Sequence, residues 1–355
     1  MSEKIKVGIW GLGRAGLITH VSELQQYPQQ FEIRAGMDID PERNRIFSEK
    51  TGAPAYDSEE AFLQAADVDL ISIATRSQDH VSHCERALST GKFVFLEKPI
   101  ALTRADGARL LELDKQYPGK LFLRHNRRFE APFNNIKGII ASGKLGQVAE
   151  IKLCRHSYFR RSDWQTLLSC GGGQLNNWGP HIIDHALQFL DYKVQDMWSD
   201  LKCIAAIGDA EDHVKIVFKG ESGLVVDLEI SGGAALPQND YTVFGTRGAL
   251  TCRGHEIHLK YIDPDQVFKQ NTAIDGNPPL EGGFTSGYAD LETVNWVEEK
   301  ITACPAAPDD LHRIWYALYA AIREGVQYPI TVEQGVAVVN VIDAVRAANP
   351  AFAQH

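Results

Sequence analysis

Short, nearly continuous apolar runs alternate with helically spaced segments through the first third of the chain. Runs of strand length fall at 5–10 (IKVGIW), 31–37 (FEIRAGM), 69–75 (DLISIAT), 92–97 (KFVFLE) and 120–125 (KLFLRH). Between them, 14–26, 41–50, 58–66, 78–90 and 103–116 space their apolar residues for one helix face. Strands covered on both faces read as unbroken apolar runs, and helices supply the crossovers that join parallel neighbours. The pattern predicts an α/β fold with a doubly wound parallel sheet. Asp57-Ser58-Glu59-Glu60 and Thr103-Arg104-Ala105-Asp106 each read as a helix N-cap with an acid about three residues later.

After about residue 125 the rhythm changes. A helix over 131–142 leads to a strand, EIKLCRH, and then to CGGGQLNNWGPHIIDHALQFL at 170–190. Strand-like stretches with fewer helices follow: DMWSDLKCIAA, DHVKIVFKGESGLVVDLEIS and DYTVFGTRGALTCRGHEIHLKY. The turns GESG and GTRG punctuate them, the pattern of an antiparallel sheet built by hairpins. Helices are expected near 288–302 and 308–324, with a last one near 332–348. The second half therefore reads as an α+β domain with a large sheet, and no internal repeat interrupts it.

Composition narrows the setting. The chain has 355 residues, enough for two cores, with 44% hydrophobic and 23% charged residues, as in globular proteins. A net charge of −10 disfavours non-specific attraction to nucleic acid or to an anionic membrane surface. The basic group Arg124-His125-Asn126-Arg127-Arg128 is short and suits a small anionic or polyol ligand, or a solvated surface. MSEKIKVGIWG has no apolar run of signal-peptide length, and no window approaches the roughly 18 apolar residues of a membrane span. Cys84, Cys154, Cys170, Cys203, Cys252 and Cys304 are scattered with no C-x-x-C pair, which points to reduced thiols and a cytoplasmic location.

Two signals carry chemistry in the first half. Gly11-Leu12-Gly13-Arg14-Ala15-Gly16 is G-x-G-x-x-G between a strand and a helix, the context of a dinucleotide site. Its glycines permit a tight turn, close approach to a pyrophosphate, and packing of the helix on the strand. Asp38 ends the second strand at the spacing where a carboxylate binds the adenosine ribose. That acid would repel a 2′-phosphate and favours NAD over NADP, with Arg43 moderating the preference. The second signal is Glu97-Lys98-Pro99 at the carboxyl end of a buried strand, where open sheets bind ligands. Lys98 either pairs with Glu97 or lies beside the nicotinamide, where it donates to a reacting oxygen or shuttles its proton.

In the 170–190 stretch, Pro180 fits the first turn of a helix. His181, Asp184, His185 and Gln188 fall at i, i+3, i+4 and i+7, one polar stripe. Such a stripe is commonly solvated helix surface, but the three glycines upstream argue for close backbone approach to a ligand. His181 and His185 have the spacing of metal ligands, with Asp184 or His156 as completing groups, yet no motif supplies the remaining ligands and no metal is expected.

GLGRAG (11–16), Asp38, ATRSQDH (74–80), EKP (97–99), NRRF (126–129), GKLGQV (143–148) and GGG-x-L-x-N-x-G-x-H-x-x-D (171–184) occur in this order. In that combination the chain resembles the glucose–fructose oxidoreductase and inositol dehydrogenase family, Gfo/Idh/MocA, over most of its length. The resemblance implies a Rossmann domain over 1–125 and a substrate-binding α+β domain over 126–355. The second domain's mostly antiparallel sheet would join a homodimer or homotetramer. The resemblance also implies NAD bound by Gly11, Leu12, Gly13, Arg14, Ala15, Gly16, Asp38, Arg43, Thr75, His80, Glu97 and Lys98. The implied activity is reversible hydride transfer between NAD and a carbinol of a sugar, glycoside or cyclitol. Its sharper form is oxidation of a glucoside at C3.

His181 would then exchange the carbinol proton and Lys98 would stabilise the alkoxide or join the proton relay. Asn126, Arg128, Tyr158, Trp164, Asn177 and His181 would face the substrate. Phe159, Arg160, Arg161, Asn176 and Trp178 are further substrate-side residues, each aromatic being equally suited to core packing. Many relatives carry an aspartate where this chain has Asn177, and an amide neither offsets an imidazolium charge nor accepts a proton. Either His181 works with Lys98 alone, or Asp184 or another acid supplies the charge, or the protein is a weakened binder. Two rival functions remain: glycoside cleavage by transient oxidation and elimination, and a non-enzymatic NAD-bound sensor.

Overall fold

In the computed structural model, which describes residues 3–64, 67–269, 275, 293–304 and 311–353, the apolar runs of the first third lie side by side. They form β1 (Ile5–Trp10), β2 (Phe31–Met37), β3 (Ala55–Tyr56), β4 (Leu70–Ile73), β5 (Phe93–Leu96) and β6 (Leu121–Leu123). The sheet order is β3-β2-β1-β4-β5-β6, and every pair is parallel. The order reverses between β1 and β4, the kind of switch point where such sheets open a crevice at their carboxyl ends. The two-residue β3 was not anticipated.

The helices of this half are a π-helical stretch Arg14–His20 running into α1 (Val21–Leu24), then α2 (Pro41–Thr51), α3 (Glu59–Leu63), α4 (His80–Ser89) and α5 (Arg104–Gln116). Both expected caps form. Ser58 Oγ accepts the Ala61 N–H at 3.4 Å, and Thr103 Oγ1 accepts the Asp106 N–H at 3.1 Å. Each satisfies one donor that a helix start leaves open. Of the helix expected to run to 66, α3 ends at Leu63, and 65 and 66 lie outside the described residues.

The second half begins with α6 (Ala131–Ala141), β7 (Val148–His156), α7 (Gln174–Asn177) and α8 (Gly179–Phe189). Strands β8 (Val194–Lys202), β9 (His213–Gly220), β10 (Val225–Ser231), β11 (Tyr241–Gly245), β12 (Gly248–Arg253), β13 (Glu256–Ile262) and β14 (Trp296–Thr302) follow. With β7 they make one sheet, ordered β14-β13-β12-β11-β7-β10-β9-β8, in which only the β7–β10 pair is parallel. Alternate side chains of β9 and β10 (Val214, Ile216, Phe218, Val226, Leu228, Ile230) share a core with Ile182, Ile183 and Ala186 of α8. The other face carries ion pairs, with Lys215 Nζ 2.6 Å from Asp227 and 3.0 Å from Glu229.

Two expectations fail for physical reasons. The segment 288–302 was expected to be helical, but 296–302 is β14, antiparallel to β13; 288–292 lie outside the described residues. Val297 and Ile301 are four apart, a spacing that fits a helical face and a strand's alternation equally. The strand expected over 196–206 ends at Lys202, because the next backbone turns onto a carboxylate. The N–H groups of Ile204, Ala205 and Ala206 donate to Asp212 at 2.6, 2.7 and 2.7 Å.

The chain also returns to its first core. Helix α9 (Arg313–Tyr319), extended by the π-helical Ala320–Glu324, places Ile314, Trp315, Leu318 and Tyr319 among the first sheet's apolar residues. Helix α10 (Val332–Ala348) then ties the two cores together. Val336 and Val339 pack in the first core, Val338, Ile342 and Val345 in the second. A boundary at 125 separates the two sheets, but the first core is completed from the far end of the chain.

Candidate active site

The glycine loop after β1 is shaped by close contacts. Gly11 has φ +95°, and a Cβ there would lie 2.6 Å from the Ala74 backbone. At Gly16 a Cβ would come within 1.9 Å of the Gly11 carbonyl oxygen. A side chain is therefore excluded at both positions. Gly13 begins the helix with no side-chain cap, and a Cβ there would meet nothing nearer than Arg43 Nη1 at 3.7 Å. The helix start, with Arg14 exposed and Ala15 half-buried, is an open cradle for an anion.

Asp38, buried at the end of β2, is fixed beside that cradle. Its Oδ2 accepts the Leu12 N–H at 2.7 Å, its Oδ1 accepts the Asp40 N–H at 3.0 Å, and Arg43 Nη1 is 3.6 Å from Oδ2. Asn44 brackets the Asp38 backbone, accepting its N–H at 2.9 Å and donating to its carbonyl at 2.8 Å. Loop, helix start and carboxylate together fit an NAD adenosine diphosphate moiety. Thr75 follows β4 and shares its hydroxyl with His83 Nδ1 at 3.0 Å. His80 is buried, with Nδ1 2.7 Å from the Pro99 carbonyl and Nε2 3.3 Å from the Thr75 carbonyl. Burial lowers its pKa, so the neutral ring has one N–H to give, and the shorter contact makes Nδ1–H the donor to Pro99, which braces these two loops.

Strand β5 delivers Glu97, Lys98 and Pro99 to the crevice, with the Lys98–Pro99 bond cis. Glu97 faces inward, not toward a cofactor. Its Oε1 is 2.6 Å from Arg124 Nη1 and 3.1 Å from His20 Nε2, and its Oε2 accepts the Lys98 N–H at 2.7 Å. Arg124 also donates to both oxygens of Glu23, at 2.7 and 2.6 Å, and Trp315 Nε1 donates to Glu23 at 2.6 Å. Burial alone would push the Glu97 carboxyl up, but Arg124, with His20 and Lys98, holds it well below the usual carboxylate range. A buried ionic cluster thus sits directly beneath the lysine.

Lys98 Nζ donates to the Asn177 carbonyl at 2.9 Å and lies 3.4 Å from Asn177 Oδ1. Burial pushes its pKa down, against Glu97 and with Arg124, Arg127 and Arg161 adding to the depression. His181, one turn beyond Asn177, is buried and its Nδ1 has no hydrogen-bond partner. Burial, then Lys98 and Arg127, hold its imidazole well below the ordinary histidine value, so it is neutral at physiological pH. Pro180 occupies the first turn of α8, as its missing N–H allows.

The polar stripe of α8 is not solvated surface. Asp184 is buried and takes both arms of the Arg128 guanidinium, at 2.8 and 2.6 Å. Arg128 also reaches the Pro329 carbonyl at 3.0 Å, Gln334 Oε1 at 2.6 Å and the Tyr192 hydroxyl at 2.7 Å. That guanidinium is engaged internally rather than open to substrate, and Asp184 is not free to serve His181. His185 stacks on Phe133, with Nδ1 3.1 Å from the Tyr241 hydroxyl and Nε2 2.9 Å from the Arg127 carbonyl. With both nitrogens used it does not pair with His181 on a metal. Among the described residues no group of three or more His, Cys, Asp or Glu is placed to hold one.

Asn126 is buried at the start of the NRRF turn. Its neighbour Arg127, read in the sequence only as one member of the basic group, lies over the Trp178 ring at 4.3 Å and pairs with Glu130. Its position inside the basic cluster was the available signal. Tyr158 is exposed, and Asn176 is buried with its amide on the Gly171 carbonyl at 2.9 Å. Trp164 lies under Arg76 of the first domain at 4.3 Å, and Gln78 Nε2 donates to the Ser169 carbonyl at 2.9 Å. The 157–173 segment is thereby fastened over the crevice.

Comparison with known proteins adds three findings. A family model described as oxidoreductase family, NAD-binding Rossmann fold, matches residues 5–125, and one for the GFO/IDH/MocA C-terminal domain matches 133–251. The chain is 25% identical over 355 residues to the uncharacterized oxidoreductase YdgJ of Escherichia coli, covering 97% of this chain and 96% of that one. It is 23% identical to the scyllo-inositol 2-dehydrogenase (NADP(+)) IolW of Bacillus subtilis, covering 96% and 93%. Among solved structures, an NAD-binding protein from Listeria innocua superposes with a TM-score of 0.81 at 22% identity, covering 98% and 97%.

Proposed function

The chain belongs to the Gfo/Idh/MocA family of NAD(P)-dependent oxidoreductases, and from that premise we propose that its substrate is a ring carbinol of a sugar, glycoside or cyclitol. The sharpest form of the proposal is a glucoside 3-dehydrogenase using NAD. The observation that carries hydride transfer at a carbinol is Lys98 Nζ held by Asn177 after the carboxyl end of β5, with the buried His181 one turn further along and within reach of the lysine's charge. Relatives at low identity include inositol dehydrogenases, whose substrates are also ring carbinols.

Bound NAD supplies the acceptor for a hydride leaving the carbinol carbon. His181, neutral in its buried setting, takes the hydroxyl proton on its imidazole and returns it in the reverse direction. A protonated Lys98 has three donors, of which Asn177 takes up to two, so one remains for the developing alkoxide oxygen. Asn177 fixes the ammonium without adding charge. Trp164 and Ser169, held against Arg76 and Gln78, keep the 157–173 segment over the crevice and limit water there.

We place the protein in the cytoplasm, consistent with its six free cysteines. Assembly as a homodimer or homotetramer through the large sheet is supported by Trp198, Phe244 and Trp296, exposed on the face away from α8. No helix among the described residues is long and apolar enough to cross a membrane.

A screen of NAD⁺ reduction against free sugars, glycosides and cyclitols tests the function. Turnover of a ring carbinol is expected. Failure of the whole panel, together with failure of 3-keto sugars to oxidise NADH, would overturn it. Release of aglycone without net NADH would instead identify oxidation followed by elimination.

The amide at 177 gives a second test. A carboxylate there would favour the charged forms of both His181 and Lys98 and raise both pKa values. A base that must be neutral loses activity as pH falls through its pKa. Asn177→Asp is therefore expected to move the acidic limb of the kcat/KM profile to higher pH, by about one unit or more. An acidic limb that stays in place would put the base elsewhere.

A further inference from the structure

The cluster beneath Lys98 holds more carboxylate than guanidinium. Glu97 and Glu23 share the guanidinium of Arg124, each at 2.6 Å. Neutral donors complete them: Trp315 Nε1 on Glu23 at 2.6 Å, and the Lys98 N–H on Glu97 at 2.7 Å. His20 lies between Glu97 and Ser72, with Nε2 3.1 Å from Glu97 Oε1 and Nδ1 2.9 Å from Ser72 Oγ. A neutral ring satisfies both contacts, giving its Nε2–H to the carboxylate and accepting the serine hydroxyl. His312 Nε2 stands 3.5 Å from Glu23 at the outer edge of the cluster. Two carboxylates against one guanidinium leave an excess negative charge, and burying such an excess is unfavourable unless a cation adjoins it.

Lys98 is the adjoining cation. Burial pushes its ammonium down, and the leading charge that opposes burial is Glu97, while Arg124, Arg127 and Arg161 act in the same direction as burial. On the crevice side the group that holds Nζ, Asn177, is an uncharged amide. Three nearby acids are each taken by an arginine: Asp184 by Arg128, Glu130 by Arg127 and Arg155, and Asp163 by Arg161. His80 and His125, which also lie within reach of the Glu97 charge, are held below the ordinary histidine value by burial, as is His181.

We propose that Glu97 is the counter-ion and positioning residue of Lys98, fixing the lysine's backbone N–H and supplying from beneath the charge that keeps the ammonium a donor. The proposal rests on the reading of Lys98 as donor to the alkoxide. It puts the acid of this site in the floor of the first domain and not on the helices that carry Asn177 and His181.

Competitive acetylation of the NAD-loaded protein with acetic anhydride across pH, read by mass spectrometry, reports the ionisation of Lys98 without any substrate. Glu97→Gln is expected to lower the Lys98 midpoint by about one unit or more. Glu23→Gln removes the same excess charge without touching Lys98, and is expected to lower the midpoint by less. Adding Asn177→Asp to Glu97→Gln puts an acid on the other side of the ammonium and is expected to return the midpoint toward its native value. The basic limb of kcat/KM should follow the midpoint in each variant. A midpoint that does not fall in Glu97→Gln, or that Asn177→Asp does not restore, would overturn the counter-ion. If Glu97→Gln does not fold, the Glu23→Gln midpoint decides alone, a fall supporting the proposal and no fall overturning it. Midpoints that move as expected in a protein that oxidises no carbinol would remove the oxidoreductase reading and leave the counter-ion in place.

Discussion

Lys98→Ala is expected to lower hydride transfer by about a thousandfold while NAD affinity stays within a few fold of the native value. The ammonium is in direct contact with Asn177, and its pKa is lowered by burial and by Arg124, Arg127 and Arg161. Alanine removes both the donor to an alkoxide and the charge next to His181. The second loss works in the opposite sense on the histidine, since Lys98 is the leading charge that depresses its imidazole. The acidic limb of any residual activity should therefore shift to higher pH. The cradle of Gly11, Gly13, Gly16 and Asp38 is built from other strands, which is why cofactor binding is expected to survive. His181→Ala should cost roughly 10²- to 10⁴-fold in kcat, again with NAD binding intact. Single-turnover rates together with NAD titrations decide the matter: near-native turnover in either variant removes that residue from the mechanism.

Much of this arrangement is legible in the amino-acid sequence. Local periodicity and turn chemistry determine where β1, β2, β4, β5 and β6 begin, and the caps at Ser58 and Thr103 are short-range events. The glycine loop, Asp38 and the EKP strand end were readable because each is a backbone requirement tied to a ligand. What stayed hidden depends on contacts between distant segments. Arg128 looked like a substrate ligand because nothing in NRRF announces that Asp184, 56 residues on, takes its guanidinium. The α8 stripe was open to two readings, solvated surface or ligand-facing, because helical spacing gives a face but not what covers it. His185 is covered by Phe133 and Tyr241, and Asp184 by Arg128 and Tyr192. The return of α9 into the first core is likewise invisible in its own sequence, which shows an apolar face without naming its partner. Asn177 is the opposite case. Its difference from an aspartate was plain in the sequence, and its contact with Lys98 Nζ gives that difference a physical meaning.

Arg124→Met is expected to destabilise the fold by about 3–5 kcal/mol at neutral pH, the range for breaking a buried ion pair from one side. Arg124 is 3% exposed and serves two carboxylates, Glu97 and Glu23, that are equally sheltered. Methionine fills much of the space but leaves both acids short of their main donor. The pH dependence separates this cause from simple loss of packing. In the native protein the Glu97 carboxyl is held below its unfolded value, so its contribution is present above the ordinary carboxylate range and is lost as pH falls through the depressed value. Without Arg124 the burial contribution faces only His20 and Lys98, and the Glu97 pKa should rise above its unfolded value. Folding of the variant then favours the protonated acid, and stability is lost as pH rises. The gap in urea midpoint between native and variant proteins should therefore be largest near pH 7 and shrink toward pH 4. A gap that does not change with pH would mean that Arg124 contributes by shape alone. Because Glu97 also accepts the Lys98 N–H, the variant should lose kcat before it unfolds, through a displaced lysine. That loss should appear in kcat at temperatures well below the variant's own Tm.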